Sequence, residues 1–345
     1  MLSFTRNELE EHTKSLCTPE QYRLKLQNYK SVEQSFAARA EHCDGLPVIL
    51  HVEPSGNCNL ACPICPRGQG LIERTGFLSM NAFRRFFDPL SETLSNMIVS
   101  GFGEPLLNPD VARMIRLAGR HGIATLMNTN GIALLEKVGE ILDSRLTRIN
   151  ISMDGAVSTS CHRYTAENPF SRVVQGVERL RTEKDKGNCA YPRIRGQFIV
   201  TVETVDEVAA LRSWALGIGL EEVNFKRRHE IMPGEKDREE IFAGMDPMEI
   251  VNTGKVVSAE RLHWAPGDCT HPWDSLFLSC TGEAGICSFD PYLSVPGLNH
   301  GSDFAALWNG NAMKRVRRWH AGGNTRVQAP CSKCNRLPGY LVPGG

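Results

Sequence analysis

Between residues 47 and 228, short apolar runs alternate with longer amphipathic stretches. The runs at 48–54, 96–103, 124–130, 148–154, 194–202 and 221–226 are rich in Val, Ile, Leu, Met and Phe and short enough to read as strands. Apolar residues recur at three and four spacing over 79–94, 109–121, 132–143, 169–186 and 205–217, which predicts helices between them. Ser79 is placed to cap the first helix, Asn108 with Pro109 opens the second, and Gly122 follows it. A strand followed by a crossover, six times over, predicts an α/β fold with a parallel sheet and helices packed outside it. Polar residues enter at the C-terminal ends of these strands: Glu53, Glu104, Asn128 to Asn130, Ser152 and Asp154. Barrel-like α/β folds build their sites on that edge. Any one of them also reads as an ordinary loop residue.

The flanks differ. Residues 1–45 are polar and helical in pattern and form an N-terminal appendage to the strand–helix region, 46–230. Residues 231–268, with Pro233, Gly234, a charged run at 235–240 and Pro266-Gly267, read as a linker. Residues 269–345 are rich in Gly, Cys and Pro with little periodicity, a composition that calls for metal crosslinks.

Composition narrows the function. Apolar residues make up 41% of the 345, enough for a sizeable core. Lys+Arg and Asp+Glu both total 39, so the basic excess of a nucleic-acid binder is missing and no nucleic-acid partner is expected. No apolar run approaches the ~18 residues of a membrane span. The polar opening is unlike a signal peptide, so the expectation is a cytoplasmic protein with no membrane partner. Twelve cysteines are many for a reducing compartment, where accumulated thiols bind metal or do chemistry.

Cys58, Cys62 and Cys65 follow the first predicted strand as C-x3-C-x2-C. Three thiolates so close suit three corners of a cubane iron–sulfur cluster whose fourth iron stays open to a ligand. Zinc takes four ligands, usually in paired knuckles, and no fourth lies nearby; chance clustering in a loop is the bland alternative. Cys269 and Cys287 flank a predicted hairpin turning at Thr281-Gly282, and Cys331 with Cys334 forms a late C-x2-C. Those four make a closed set that suits either an iron–sulfur cluster or structural zinc.

With the first group in its place, the chain resembles the radical S-adenosylmethionine (SAM) enzymes. Gly101-Phe102-Gly103-Glu104-Pro105 resembles the family's glycine–glutamate motif, Thr129-Asn130-Gly131 the usual end of the third strand, and Ile151-Ser152-Met153-Asp154-Gly155 the signature ending the fourth. Ile64 departs from the aromatic residue common before the third cysteine. The resemblance implies a partial (β/α)6, TIM-like barrel. It implies a 4Fe–4S cluster on Cys58, Cys62 and Cys65, and SAM held near Gly103, Glu104, Asn130, Ser152 and Asp154, with Arg163 near its carboxylate. The implied chemistry is one-electron cleavage of SAM to a 5′-deoxyadenosyl radical, which takes a hydrogen atom from a small-molecule substrate. The electron would come from a flavodoxin- or ferredoxin-type donor.

The C-terminal part resembles the SPASM/twitch extension of such enzymes: Gly282 four residues before the position preceding Cys287, the Ser288-Phe289-Asp290 step, Leu307-Trp308-Asn309, and the terminal C-x2-C. The twitch form implies one auxiliary 4Fe–4S cluster on Cys269, Cys287, Cys331 and Cys334. The spacing is similar to that of the aminocyclitol dehydrogenases of butirosin biosynthesis, which implies oxidation of a secondary alcohol on a sugar or aminocyclitol.

Cys280, outside the four-ligand set, is a candidate hydrogen-atom donor for a radical epimerase, or a packed apolar cysteine; Cys161 is a weaker version of the same. Arg227, Arg228 and His229, after Lys226, are candidates to bind an anion or deprotonate a hydroxyl, or form a solvated basic face. Elimination or decarboxylation on a nucleoside sugar and peptide modification remain alternative reactions.

Overall fold

The computed structural model describes residues 14–62, 65–153, 170–200, 208–227, 269–288 and 304–322. Helix α1 (Pro19–Ala37) opens on Thr18, whose hydroxyl accepts the Gln21 N–H while the Gln21 side chain returns to the Thr18 N–H. There follow β1 (Ile49–Val52), α2 (Met80–Phe87), β2 (Asn96–Val99), α3 (Val111–Arg120), β3 (Ala124–Thr129), α4 (Leu134–Asp143) and β4 (Arg148–Ser152). Then come α5 (Phe170–Lys186), β5 (Arg193–Val200), α6 (Val208–Gly217) and β6 (Glu222–Arg227). Ser79 caps α2 through the Ala82 N–H, and Gly122, at φ +62°, ends α3 in the left-handed conformation.

Among the described residues the sheet runs β6-β5-β4-β3-β2-β1-β7-β8 and is open, with β6 and β8 each pairing on one side only. Strands β1 to β6 are parallel, as the alternating pattern predicts. One difference is architectural. The C-terminal hairpin, β7 (Ser275–Leu278) and β8 (Ala284–Gly285), is part of this sheet, with β7 parallel to β1 in the register Leu50 to Leu276 and Val52 to Leu278. All four β7 residues are buried, and a strand apolar on both faces needs cover on both.

The pleat sorts side chains to two faces. Ile149, Ile151 and Met153 of the β4 segment are fully buried, as are Val173, Val177 and Leu180 of α5. On the opposite face, register places Asn128, Asn150, Arg195 and Glu222 in one row across β3 to β6. Ser152, Gln197 and Asn224 form the next row towards the C-terminal edge.

Beyond the hairpin lie α8 (Phe304–Trp308) and α9 (Asn311–Ala321), where the sequence shows little periodicity. Their burial depends on distant partners. Trp308 Nε1 donates to the Gly45 carbonyl, and fully buried Arg317 donates to the carbonyls of Pro272 and Glu41 and to Asn309 Oδ1. Trp273, in a single helical turn α7 (His271–Asp274), donates to the Ala40 carbonyl. The segment after α1 is thereby stitched to the C-terminal part. No described helix is long and apolar enough to cross a membrane.

His51, His271 and His320 run from β1 to α9, with the His51 and His271 rings 6.1 Å apart. Burial, with His320 nearby, lowers His271 to about 4, and burial, with His271 nearby, lowers His51 too. The folded state keeps His271 neutral while the unfolded chain protonates near pH 6.5, so unfolding takes up a proton below that pH. Its contribution is complete above pH 6.5 and is lost as pH falls towards 4, by about 1.4 kcal/mol per unit at most. Asp274 and Glu104, raised by burial, act in the opposite sense at low pH. We therefore expect the loss of stability between pH 7 and pH 5 to be about 1–2 kcal/mol smaller in His271→Gln than in the parent, measured by denaturant unfolding at both pH values. Parallel curves for the two proteins would contradict this.

Candidate functional site

The site begins where β1 ends. Glu53 is fully buried, and its carboxylate accepts four hydrogen bonds from three other chain segments. Arg74 donates from Nε to Oε2 at 2.7 Å and from Nη2 to Oε1 at 3.2 Å, the Phe102 N–H donates to Oε1 at 2.9 Å, and the Cys280 N–H to Oε2 at 3.3 Å. Gly101 is required here, because a Cβ on it would lie 2.3 Å from Glu53 Cγ. The sequence pattern marked Glu53 as an edge residue, but Arg74, in a loop without periodicity, gave no sign of being its partner.

The next residues shape the cysteine loop. The Gly56 N–H donates to the Gly76 carbonyl, and the Asn57 side chain accepts the Gly76 N–H. Gly103 presses on this turn: a Cβ there would meet the Ser55 carbonyl oxygen at 2.1 Å, and the neighbouring Glu104 N–H donates to the Asn57 carbonyl at 2.8 Å. Within the loop, the Cys65 N–H donates to the Cys62 carbonyl, and Gly68 passes so near that its Cβ would sit 2.2 Å from the same oxygen. Cys58, Cys62 and Cys65 are all partly accessible, and none of the described cysteines is in a disulfide.

These residues fit an iron–sulfur cluster. The loop backbone is folded by its own hydrogen bonds and by Gly103, so the three sulfurs are not needed to hold it. Burial, then the nearby Glu104 and Cys65, push the Cys58 thiol up, so a thiolate there calls for a cation beside it. Among the described residues no three His, Cys, Asp or Glu side chains stand close enough to clasp one metal ion. A cubane takes one cysteine per iron corner and needs no such convergence.

Buried Glu104 ties the second strand end to the third. Its Oε1 accepts the Thr129 hydroxyl at 2.6 Å and the Leu106 N–H at 3.0 Å, and its Oε2 accepts the Asn130 N–H at 2.8 Å. Gly131 follows at φ +77°, crowded by Ile151 and Val173, where any Cβ would clash. Ser152 ends β4 on the same edge, partly accessible. Asn150 Nδ2 donates to Asn128 Oδ1 at 2.8 Å, while the buried Asn150 Oδ1 and Gln197 Oε1 have no hydrogen-bond partner among the described residues.

Two protein-family models match the chain. That of the radical SAM superfamily covers residues 52–191, and that of an iron–sulfur cluster-binding domain, SPASM, covers residues 269–335. The chain carries a radical SAM domain followed by a SPASM domain. This radical SAM protein uses SAM and 4Fe–4S clusters as cofactors and carries a C-terminal SPASM domain on a partial barrel.

Its relatives include the GTP 3′,8-cyclase of Vibrio atlanticus (strain LGP32), 32% identical over 138 residues, which are 38% of this chain and 40% of that protein. Another is the Mus musculus molybdenum cofactor biosynthesis protein 1, 29% identical over 42% of this chain and 24% of that one. The radical SAM protein thus spans two fifths or less of these curated relatives' length. Among solved structures, its fold is shared by BtrN in complex with AdoMet and 2-DOIA (TM-score 0.50, 15% identity, 85% of this chain and 94% of that one). It is shared also by anSMEcpe with bound AdoMet (0.58, 15%, 78% and 82%) and by Streptococcus suis SuiB bound to precursor peptide SuiA (0.57, 14%, 88% and 72%).

Of the sequence-predicted residues, Cys58, Gly103, Glu104 and Asn130 come together, with Cys62 and Cys65 in the same loop. Cys269 precedes α7 and Cys287 follows β8, both partly accessible. Arg227 is the last residue of β6. Asp154, Cys161, Arg163, Arg228, His229, Cys331 and Cys334 lie outside the described residues. Cys280 is 3% exposed, with its Sγ against Gly56, whose Cβ would lie 2.6 Å from it, and 3.9 Å from the Thr75 carbonyl. Burial, then the charge of Glu53, pushes this thiol up to about 12.

Proposed function

We propose that this radical SAM enzyme oxidises a secondary alcohol of a sugar- or aminocyclitol-type small molecule to a ketone. The supporting observation is the pair of polar rows on one face of β3 to β6, where Asn150 Oδ1 in one row and Gln197 Oε1 in the next are buried without a hydrogen-bond partner among the described residues. Buried acceptors of this kind call for donors, and a hydroxyl group, which both donates and accepts, suits them whichever way each amide is turned.

When bound, SAM and the cluster on Cys58, Cys62 and Cys65 supply the hydrogen-abstracting radical, and the auxiliary cluster on Cys269, Cys287, Cys331 and Cys334 supplies an electron acceptor. The oxidation removes from the alcohol a hydrogen atom at carbon, a proton at oxygen and one electron, which balances as two electrons and two protons. Arg227, with Arg228 and His229 after it, stands by position at the strand end where that proton would be taken up. Gly103 and Glu104 shape the turn where SAM would lie, with Asn130, Ser152, Asp154 and Arg163 as its further contacts. A flavodoxin- or ferredoxin-type protein would deliver the priming electron.

Two other readings compete with this one. The relatives at 32% identity are named for GTP 3′,8-cyclisation, which favours a nucleotide substrate. Epimerisation would use Cys280 as hydrogen donor, but the burial of its thiol counts against that reading. Anaerobic incubation in D2O with SAM, dithionite and a panel of sugars, aminocyclitols and GTP separates the three. We expect a product two mass units lighter, without deuterium at carbon, and less than about a threefold loss of rate in Cys280→Ala. Consumption of GTP would overturn the proposal in favour of the first alternative; one solvent deuterium in an isomeric product, abolished in Cys280→Ala, would do so in favour of the second.

A further inference from the structure

The side-chain amide of Asn130 has a defined orientation. Its Oδ1 accepts the backbone N–H of Ile132 at 3.1 Å, so its Nδ2 is the end turned to the cysteine loop. One hydrogen of that Nδ2 goes to Asn59 Oδ1 at 2.7 Å, and the other faces Cys58 Sγ at 3.8 Å. The backbone beneath is fixed by Glu104, which accepts both the Asn130 N–H and the Thr129 hydroxyl from a buried position, and by the left-handed turn at Gly131. The amide is thus delivered to the sulfur by a buried frame.

We propose that Asn130 is a positioning residue that donates an N–H···S hydrogen bond to Cys58 and so raises the reduction potential of the cluster bound there; this rests on Cys58 being a ligand of that cluster. Reduction adds negative charge to the cluster and its thiolates, and a donor aimed at a ligand sulfur stabilises the reduced form more than the oxidised one. Hydrogen bonds to sulfur and the orientation of first ligands by their neighbours are among the means by which a protein sets cluster potential.

The test is a redox titration of the anaerobically reconstituted full chain, followed by electron paramagnetic resonance. The relevant cluster is recognised as the one whose spectrum changes when SAM is added. Asn130→Asp keeps an oxygen for the Ile132 N–H and removes the donor to sulfur. At a fixed poise its reduced-to-oxidised ratio should fall about tenfold, which is about 59 mV for one electron, with iron content unchanged. Asn59→Ala, which removes only the other partner of the amide, should leave the potential where it was. If Asn130→Asp loses iron through charge repulsion, Asn130→Ser, too short to reach Cys58, should retain iron and show the shift. An unchanged potential in an iron-replete Asn130 variant, or the same drop in Asn59→Ala, overturns the proposal. Loss of iron from both Asn130 variants also overturns it, by making Asn130 a residue of loop assembly. Iron that stays unchanged in Cys58→Ala would instead refute the ligand reading on which the proposal stands.

Discussion

Replacing Cys62 with alanine is expected to remove about four of about eight irons per chain and to abolish release of 5′-deoxyadenosine from SAM. The loop does not depend on the thiol: the Cys62 carbonyl accepts the Cys65 N–H, Gly68 closes against it, and Gly103 and the Glu104 N–H hold the turn from the other side. The variant should therefore fold like the parent while lacking one corner of the cluster, so lost activity with parental unfolding behaviour is the expected pair of results. Cys287→Ala should remove a further set of about four irons from the second group. Iron analysis, with assay of deoxyadenosine after dithionite reduction, checks both. Stoichiometric zinc on the second group would refute the auxiliary cluster and leave the barrel reading intact.

Glu53→Ala should be the most destabilising change near the site, by about 3–5 kcal/mol in denaturant unfolding. It leaves Arg74, itself only 11% exposed, as a nearly buried cation without its counter-charge, and orphans the N–H groups of Phe102 and Cys280. The double variant Glu53→Gln with Arg74→Met should recover most of that loss, because the charge is gone and an amide oxygen remains for the Phe102 N–H. If Glu53→Ala cost less than about 1 kcal/mol, the convergence on its carboxylate would be a surface pairing without consequence.

The parallel core was legible because strands buried on both faces must be apolar along their length, as Met97, Ile98 and Val99 of β2 are. The predicted run at 96–103 becomes strand only to Val99, since the residues beyond it turn to meet Glu53 and the loop at 55–57. Spacing marked the cysteine loop at 58–65, and motifs marked Glu104 and Asn130. The hydrogen bond from the Asn130 backbone N–H to the Glu104 carboxylate, however, joins residues 26 apart and leaves no local trace. The C-terminal helices were hidden for a different reason. Arg317 in α9 occupies a fully buried position with a charged residue, which breaks the apolar spacing that marks a helix face. The carbonyls of Pro272 and Glu41 accept from its Nε and Nη1, while its buried Nη2 has no hydrogen-bond partner among the described residues; the buried Lys25 of α1 likewise donates to a backbone carbonyl, that of Leu94, and burial lowers its amine to about 8.

The pairing of β7 with β1 also bears on how the chain is made. Val52 and its neighbour Leu278 are 226 residues apart, so during synthesis the outer edge of β1 waits for its partner. At about 5–20 residues per second, that delay is on the order of 10–45 s. Until then a flat, apolar strand exposes its hydrogen-bonding groups beside a loop of unfilled cysteines, the arrangement in which edge-to-edge association begins. A nascent chain stalled before Ser275 should therefore associate with itself or with chaperones far more than one released after Gly285, and cluster insertion into the first loop before the hairpin docks would face an unfinished wall.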